Sequence, residues 1–260
     1  MKQGNVHGFT LRSIDLIPEA AVEAYEYLHE KSGLRLLLLQ SDSTNKSFTI
    51  GFRTPPPDST GVPHILEHSV LAGSKKYRTR EPFMDMLRTS RQTFLNAMTF
   101  EDMTIYPLSS QDDQDFFNLI SVYMDAVFFP RIYETEEIFL QEGWHFALEE
   151  RNAPLTYNGV VYNEMRGAYG DPSTQIFYDI ANALHPGSSY SHESGGYPYD
   201  IPQLRYEDFL DFHRRYYHPS NALIVLHGAI DQDKLFPFFD EVLSEFTPSS
   251  EKIEIVPGFA

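Results

Sequence analysis

The sequence predicts an α+β fold, in which a mostly antiparallel sheet carries helices packed on it. Strand-like segments come first, many helix-like segments follow, and one strand-like segment returns near the end. This order differs from the alternation of strands and helices that is typical of parallel sheets. The 260 residues are 42% hydrophobic and 14% aromatic, which is enough for a core, and no repeat or clear linker divides them. We therefore expect residues 1–260 to form one domain.

Two strand-like segments open the regular part of the chain. Residues 33–40 are almost continuously apolar, as in a buried strand, and residues 46–52 alternate apolar and polar side chains. The turn-forming residues 42–45 between them predict a hairpin. A second hairpin is predicted from two further short strand candidates, residues 93–99 and residues 103–107.

Helical periodicity dominates the rest of the chain. In residues 112–127 the apolar side chains follow one helical stripe, after acidic residues that suit a helix N-terminus. The other predicted helices are residues 138–149, 160–167, 174–184, 206–217 and 233–246. Residues 222–227 are expected to form the returning strand, and residues 187–196 a loop.

Composition excludes several classes of protein. The absence of cysteine rules out disulfides and thiolate metal sites, so any zinc must be held by histidine and carboxylate. A net charge of −17 argues against a nucleic-acid partner and favours cationic ligands. Neither a long apolar run nor a signal-peptide pattern occurs. We expect no membrane partner and a cytoplasmic location, or an organelle matrix if a targeting segment has been removed.

The most informative motif is the H-x-x-E-H array of residues 64–68. Residues four apart stack on one helical face, so His64 and His68 can direct their imidazoles at one ion while Glu67 borders the same spot. Pro63 suits a first helical turn, and the apolar residues that follow give the helix a side to bury. The array is typical of a hydrolytic zinc site with two histidine ligands and a glutamate base.

A third protein ligand is still needed, because a catalytic zinc site uses three protein ligands and a water. It must be a carboxylate or an imidazole from elsewhere in the chain. Composition and spacing leave these candidates open: Glu142, Glu149, Glu150, Glu164, His145, His185, His192, His213, His218 and His227. Of these, His213 and His218 are poorly spaced for one helical face, and we expect them to be structural.

Four sequence blocks resemble, in the same order, the pitrilysin and insulinase peptidases, an inverzincin family of zinc metallopeptidases, and most closely its presequence protease branch. The blocks are Gly61–Ser74, Phe94–Thr99, Gly159–Gly167 and Tyr217–Ala222, and they span nearly the whole chain. In that branch the glutamate of the third block is the third zinc ligand, which implies Glu164 here.

The resemblance leaves a second choice and one departure. Pitrilysin itself has a shorter spacing between its second histidine and its third ligand, and this spacing points nearer to Glu142. Pitrilysin also carries a supporting glutamate seven residues before the ligand, where this chain has Tyr157. We therefore assign no supporting carboxylate from the sequence.

The chemistry that the resemblance implies is peptide hydrolysis. One zinc ion per chain, held by His64, His68 and Glu164, would activate a water, and Glu67 would act as the general base. The substrates would be unstructured peptides, and the negative charge of the chain favours basic ones. The alternative is a non-catalytic domain with structural zinc that binds peptides or pairs with another subunit.

The resemblance also implies a mode of substrate binding and a larger assembly. An extended peptide would add itself to an edge strand at Asn96, Ala97 and Met98 through backbone hydrogen bonds. The chain would be the N-terminal, zinc-bearing domain of a clamshell enzyme. The C-terminal half of that enzyme, or a sister subunit, would supply the groups that stabilise the reacting carbonyl.

Overall fold

The centre of the protein is one mixed sheet, seen in a computed structural model that describes residues 6–249 and residue 253. Its strands are β1 (Phe9–Ile17), β2 (Val22–His29), β3 (Arg35–Gln40), β4 (Lys46–Arg53), β5 (Gln92–Leu95), β6 (Met98–Thr99), β7 (Met103–Ser110) and β10 (Ala222–Gly228). They are ordered β1-β2-β3-β10-β4-β7-β5, with β6 also paired to β7. A separate ribbon joins β8 (His145–Ala147) and β9 (Thr156–Asn158). Apart from the parallel β3–β10 pair, the described strand pairs are antiparallel, which confirms the predicted fold class.

The helices follow the sequence pattern closely, except for one unpredicted helix and the end of another. They are α1 (Val62–Val70), α2 (Pro82–Thr89), α3 (Asp113–Phe128), α4 (Glu136–Glu142), α5 (Val160–Ala168), α6 (Pro172–Leu184), α7 (Tyr206–Tyr216) and α8 (Gln232–Leu243). The helix predicted over residues 138–149 is wrong in its second half, because α4 ends at Glu142 and the chain continues into β8. The pair β1 and β2 and the helix α2 were not predicted. Within the described residues, each helix is too short or too polar to cross a bilayer.

The hairpin predicted between residues 33–40 and 46–52 is wrong, although both strands exist. β10 lies between them, parallel to β3 and antiparallel to β4. Ile224 and Leu226 of β10 are fully buried, which a central position in the sheet allows. A neighbouring strand on each side also gives the backbone N–H and C=O groups of β10 their hydrogen-bond partners. The predicted turn instead passes the end of β10, where the Ala229 N–H donates to the Ser43 carbonyl. The second predicted hairpin is confirmed by the pairing of β5 and β6 with β7.

The core forms where helices cover one face of the sheet. The apolar stripe predicted for α3 is buried, and α3 packs on β7. α1 contacts α4, α7, β6 and β7, and its side chains Ile65, Leu66 and Val70 are fully buried. This packing fixes the helix that carries the H-x-x-E-H array against the sheet.

His213 belongs to this packing rather than to a site, as the sequence predicts. It lies on α7, where its Nε2–H donates to the Val127 carbonyl at 2.9 Å and its Nδ1 accepts from the Tyr133 hydroxyl at 2.7 Å. The ring is buried, and this burial lowers the pKa of His213 to about 4. The imidazole is therefore neutral at pH 7 and joins α7 to the C-terminal end of α3.

Because the pKa of His213 is lowered in the folded state, we expect the protein to lose stability in acid. An unfolded chain protonates His213 near the ordinary pKa of about 6.5, so between that pH and pH 4 the unfolded state binds more protons than the folded state. The free energy of unfolding should therefore fall as the pH falls through this window, with a His213 contribution on the order of 2–3 kcal/mol. Urea titrations across the window should show a shallower pH dependence for His213→Gln, and equal slopes would contradict the assignment.

Candidate metal centre and peptide cleft

The two histidines of the H-x-x-E-H array lie side by side at the base of an open cleft. Their rings are 5.0 Å apart between centroids and nearly perpendicular, at 75°. The side chain of His64 is 12% exposed and that of His68 is 26% exposed. Because α1 buries its apolar side in the core, the i, i+4 spacing leaves both imidazoles turned to the cleft.

Glu164 of α5 faces both imidazoles. Its Oε2 lies 3.8 Å from His64 Nε2 and 3.9 Å from His68 Nε2. One donor atom from each of the three residues lies within 4.8 Å of the other two, and the part of the chain that the structure describes holds no other such group of histidines and carboxylates. The structure thus brings together the three side chains for which metal ligation is predicted.

These three donors fit a zinc ion. Two imidazoles and one carboxylate are a donor set of catalytic zinc sites, which leave one coordination position open. Donors around a tetrahedral zinc are about 3.4 Å apart, so a shift of about half an ångström would bring Glu164 to that spacing from each histidine. The Glu164 side chain is 55% exposed and has room for this movement.

A close contact between two glycines places α5. A Cβ atom on Gly159, which has a φ of +151°, would lie 2.1 Å from the Gly143 carbonyl oxygen. Gly159 precedes α5 and Gly143 ends α4, so the contact joins the helix of Glu164 to the helix of Glu142. A side chain at Gly159 would push these two helices apart.

The second nitrogen of each imidazole has a partner of its own. His64 Nδ1 donates to the Gly195 carbonyl at 3.0 Å, and His68 Nδ1 lies 3.4 Å from Glu142 Oε2. Partners at Nδ1 favour the tautomer in which Nε2 is unprotonated and available to a metal. Glu142, the second choice for the third ligand, therefore lies at the opposite edge of the His68 ring from Glu164.

The carboxylates near His68 and its burial have opposite effects on its pKa. Burial lowers the pKa of His68, but the contact with Glu142 and the charges of Glu67 and Glu164 outweigh this effect, so its pKa is raised. The same carboxylates that would attract a metal cation thus also attract a proton to this ring.

Glu67 is next to the donor group without belonging to it. It is 7% exposed and lines the cleft together with His68. Its charge acts on three buried tyrosines, namely Tyr106, Tyr123 and Tyr217. Burial raises the pKa of each phenol and the charge of Glu67 raises it further, so the phenols stay protonated. Sequence patterns did not indicate these tyrosines as neighbours of Glu67.

The residues predicted to bind substrate lie at the open edge of the sheet. Asn96 and Ala97 connect β5 to β6, and Met98 begins β6. β5 and β6 pair with β7 on one side, and no described strand lies on their other side. The Tyr123 hydroxyl donates to the Asn96 carbonyl at 2.8 Å and fixes this connection to α3. All three residues line the cleft beside the two histidines, and their contact with a peptide remains a prediction.

The cleft has a volume of about 910 Å³ and an acidic lining. Its walls include the edge residues at β6 and the side chains of Phe177 and Ala181 on α6. Among the described residues that line it there is no lysine or arginine, and its carboxylates are Glu67, Glu101, Glu164 and Glu193. The field in the cleft therefore favours cationic groups.

The chain is similar to known proteins in sequence and in fold. A family model described as "Peptidase M16 inactive domain" matches residues 203–259, which follow the three donor residues and Glu67. Protein HypA of Clostridium perfringens is 50% identical over 241 residues, which are 92% of this chain and 25% of that protein. Presequence protease 1, chloroplastic/mitochondrial, of Arabidopsis thaliana is 45% identical over 257 residues, 97% of this chain and 24% of that protein.

A solved structure shares the fold. The crystal structure of pitrilysin aligns with a TM-score of 0.72 at 19% identity, covering 96% of this chain and 26% of that one. The chain thus spans about a quarter of the length of the curated relatives that it matches.

Proposed function

This chain belongs to the M16 peptidases, the pitrilysin- and insulinase-like metallopeptidases, and from that premise we propose that it is the zinc-bearing domain of a longer metalloendopeptidase that cleaves unstructured peptides. The observation that carries the proposal is the convergence of His64, His68 and Glu164 within 4.8 Å. Glu67 lies beside this group in an open cleft, where a peptide can reach it.

The proposed division of labour follows from the residue types. Zinc held by His64, His68 and Glu164 would lower the pKa of a water and polarise the scissile carbonyl. Glu67 accepts the proton of the attacking water and passes it to the leaving amine. Glu67 is largely buried and lines the cleft together with His64 and His68, which supports this role. Glu142 holds the ring of His68 from the far side.

The substrate is proposed to bind as an added strand. The backbone at Asn96, Ala97 and Met98 lies at the sheet edge and borders the cleft, so an extended peptide can pair with it and pass the two histidines. Main-chain pairing accepts many sequences. The acidic lining supports a preference for basic peptides, which should weaken as the salt concentration rises.

The activity of the whole protein is part of the proposal. Residues 1–260 act as one domain of a chain of about four times this length, as the coverage of the relatives suggests. The remaining part, or a sister subunit, supplies the groups that stabilise the reacting carbonyl. The proposed location is the cytoplasm or the matrix of an organelle. The second choice agrees with the names of the presequence protease relatives, which are mitochondrial or chloroplastic.

A second function is a peptide-binding or subunit-pairing domain with structural zinc. The description "inactive domain" for the family model favours it. However, the matched residues 203–259 contain neither the donors nor Glu67. The exposure of Glu164 also leaves the donor group open on one side, whereas structural zinc sites are closed.

Metal removal tests the proposal. The longer protein should contain about one zinc per chain at this site and cleave a fluorogenic unstructured peptide. A chelator should abolish cleavage, and added zinc should restore it, because the proposed reaction needs the metal. Zinc content without turnover in the longer protein would instead support the non-catalytic function. A longer protein without zinc would contradict both.

A further inference from the structure

We propose that residues 193–196, here called the 193–196 turn, are a positioning element for the metal centre. In this proposal the Gly195 carbonyl sets the tautomer and orientation of His64, and the Glu193 side chain holds that carbonyl in place. The inference rests on the proposed zinc function and adds a residue, Glu193, that no sequence motif indicates.

The first link is the hydrogen bond from His64 Nδ1 to the Gly195 carbonyl, at 3.0 Å. A carbonyl oxygen only accepts hydrogen bonds, so Nδ1 carries the proton. A neutral imidazole with its proton on Nδ1 has a free lone pair on Nε2, the atom that faces Glu164. Imidazole side chains in water prefer the other tautomer, so the Gly195 carbonyl prepares His64 for a metal ion.

The second link is the Glu193 carboxylate, which uses both of its oxygens. Oε1 accepts from the Gly195 N–H at 3.1 Å, and Oε2 accepts from the Tyr169 hydroxyl at 2.8 Å. Tyr169 is the C-cap residue of α5, the helix that carries Glu164. Glu193 therefore connects the helix of one proposed ligand to the carbonyl that orients another.

The third link is steric. Gly61 is the N-cap of α1, and a Cβ atom on it would lie 2.6 Å from Gly196 Cα and 2.8 Å from the Gly195 oxygen. The start of the helix that carries His64 thus lies directly against the 193–196 turn. On the other side, the Glu193 N–H donates to Ser59 Oγ at 3.1 Å. The turn is held from α1, from α5 and from the segment before α1.

A purely structural loop and a positioning element differ in what they do to His64. If Glu193 only completed a loop, its loss would lower stability and leave the tautomer of His64 unchanged. If it positions His64, its loss should release the Gly195 carbonyl and admit the Nε2–H tautomer. The ring nitrogens of His64 therefore report on the proposal without any metal.

The test compares variants of this chain in metal-free form by long-range ¹H–¹⁵N correlation spectra of the histidine rings. The unaltered chain should show His64 with its proton on Nδ1, and Glu193→Ala should shift it towards Nε2–H. Glu193→Gln should keep the original tautomer, because an amide oxygen can accept from the Gly195 N–H while its N–H₂ donates to Tyr169. Glu101→Ala, which removes another carboxylate of the cleft, is the control and should leave the His64 tautomer unchanged.

Zinc competition against a chromophoric chelator gives the second readout. Glu193→Ala should lose about 10- to 100-fold in zinc affinity, as for other outer partners of metal ligands, and Glu193→Gln and Glu101→Ala much less. If Glu193→Ala does not fold, Tyr169→Phe removes one of the two bonds to Glu193 and should cause a partial change in both readouts. An unchanged His64 tautomer in the folded variants would overturn the proposal. If the unaltered chain binds no zinc, the proposed function fails while the tautomer comparison still decides the role of Glu193.

Discussion

Replacing Glu67 with glutamine should leave about one zinc bound per chain and reduce peptide cleavage by the longer protein roughly 10²- to 10⁴-fold, the usual contribution of a general base. Glutamine has nearly the same size and can occupy the same largely buried place near His68. It cannot accept a proton from water. Since Glu67 lies outside the group of three donors, the metal should stay.

Two measurements on the same samples separate this outcome from others. Metal analysis gives the zinc content, and a fluorogenic peptide gives kcat and KM. Glu101→Gln removes the same charge from the same cleft without touching the donors, so it should change KM for basic peptides more than kcat. Intact cleavage by Glu67→Gln, or loss of its zinc, would show that Glu67 is not the base.

Glu164→Gln should have the largest effect on the metal itself. The carboxylate is the sole anionic member of the donor group, and an amide is a much weaker ligand for zinc. We expect zinc affinity to fall by more than about 100-fold, beyond the usual effect of losing an outer partner of a ligand. Chelator competition on the folded variant measures this directly.

Glu142→Gln is the matched control for that prediction. Glu142 contacts His68 Nδ1 and lies away from the nitrogen that faces Glu164, so its loss should weaken zinc binding by about 10-fold. If Glu142→Gln weakens binding more than Glu164→Gln does, the third ligand is Glu142 and the assignment from resemblance is wrong.

The periodicity of apolar residues predicted most of the helices and strands, because each of these elements buries one side in the same core. α3 illustrates this, since each apolar residue of its predicted stripe is buried. The failed hairpin shows the limit of such reasoning. Turn residues 42–45 are compatible with a hairpin, but the partner that β3 and β4 share comes from residues 222–228. The sequence near residues 33–52 does not indicate a partner that lies so far away along the chain.

The candidate site divides in the same way. His64, Glu67 and His68 could be predicted because the i, i+4 geometry of a helix places them together whatever surrounds it. Glu164 was indicated only by resemblance, because spacing along the chain does not fix which distant carboxylate meets the helix. Gly195 could not be predicted, because its contact with His64 uses a backbone carbonyl that every residue type possesses.

The central place of β10 has a consequence for how the protein folds. β4 leads directly into the segment before α1, and its pairing with β10 joins it to a strand formed near the end of the described chain. β10 also pairs in parallel with β3. Such non-local pairing forms slowly, because a long loop must close before the strands can form their hydrogen bonds. During synthesis, the two histidines leave the ribosome well before this strand does. The sheet on which α1 packs therefore lacks its central strand until residues 222–228 have been made.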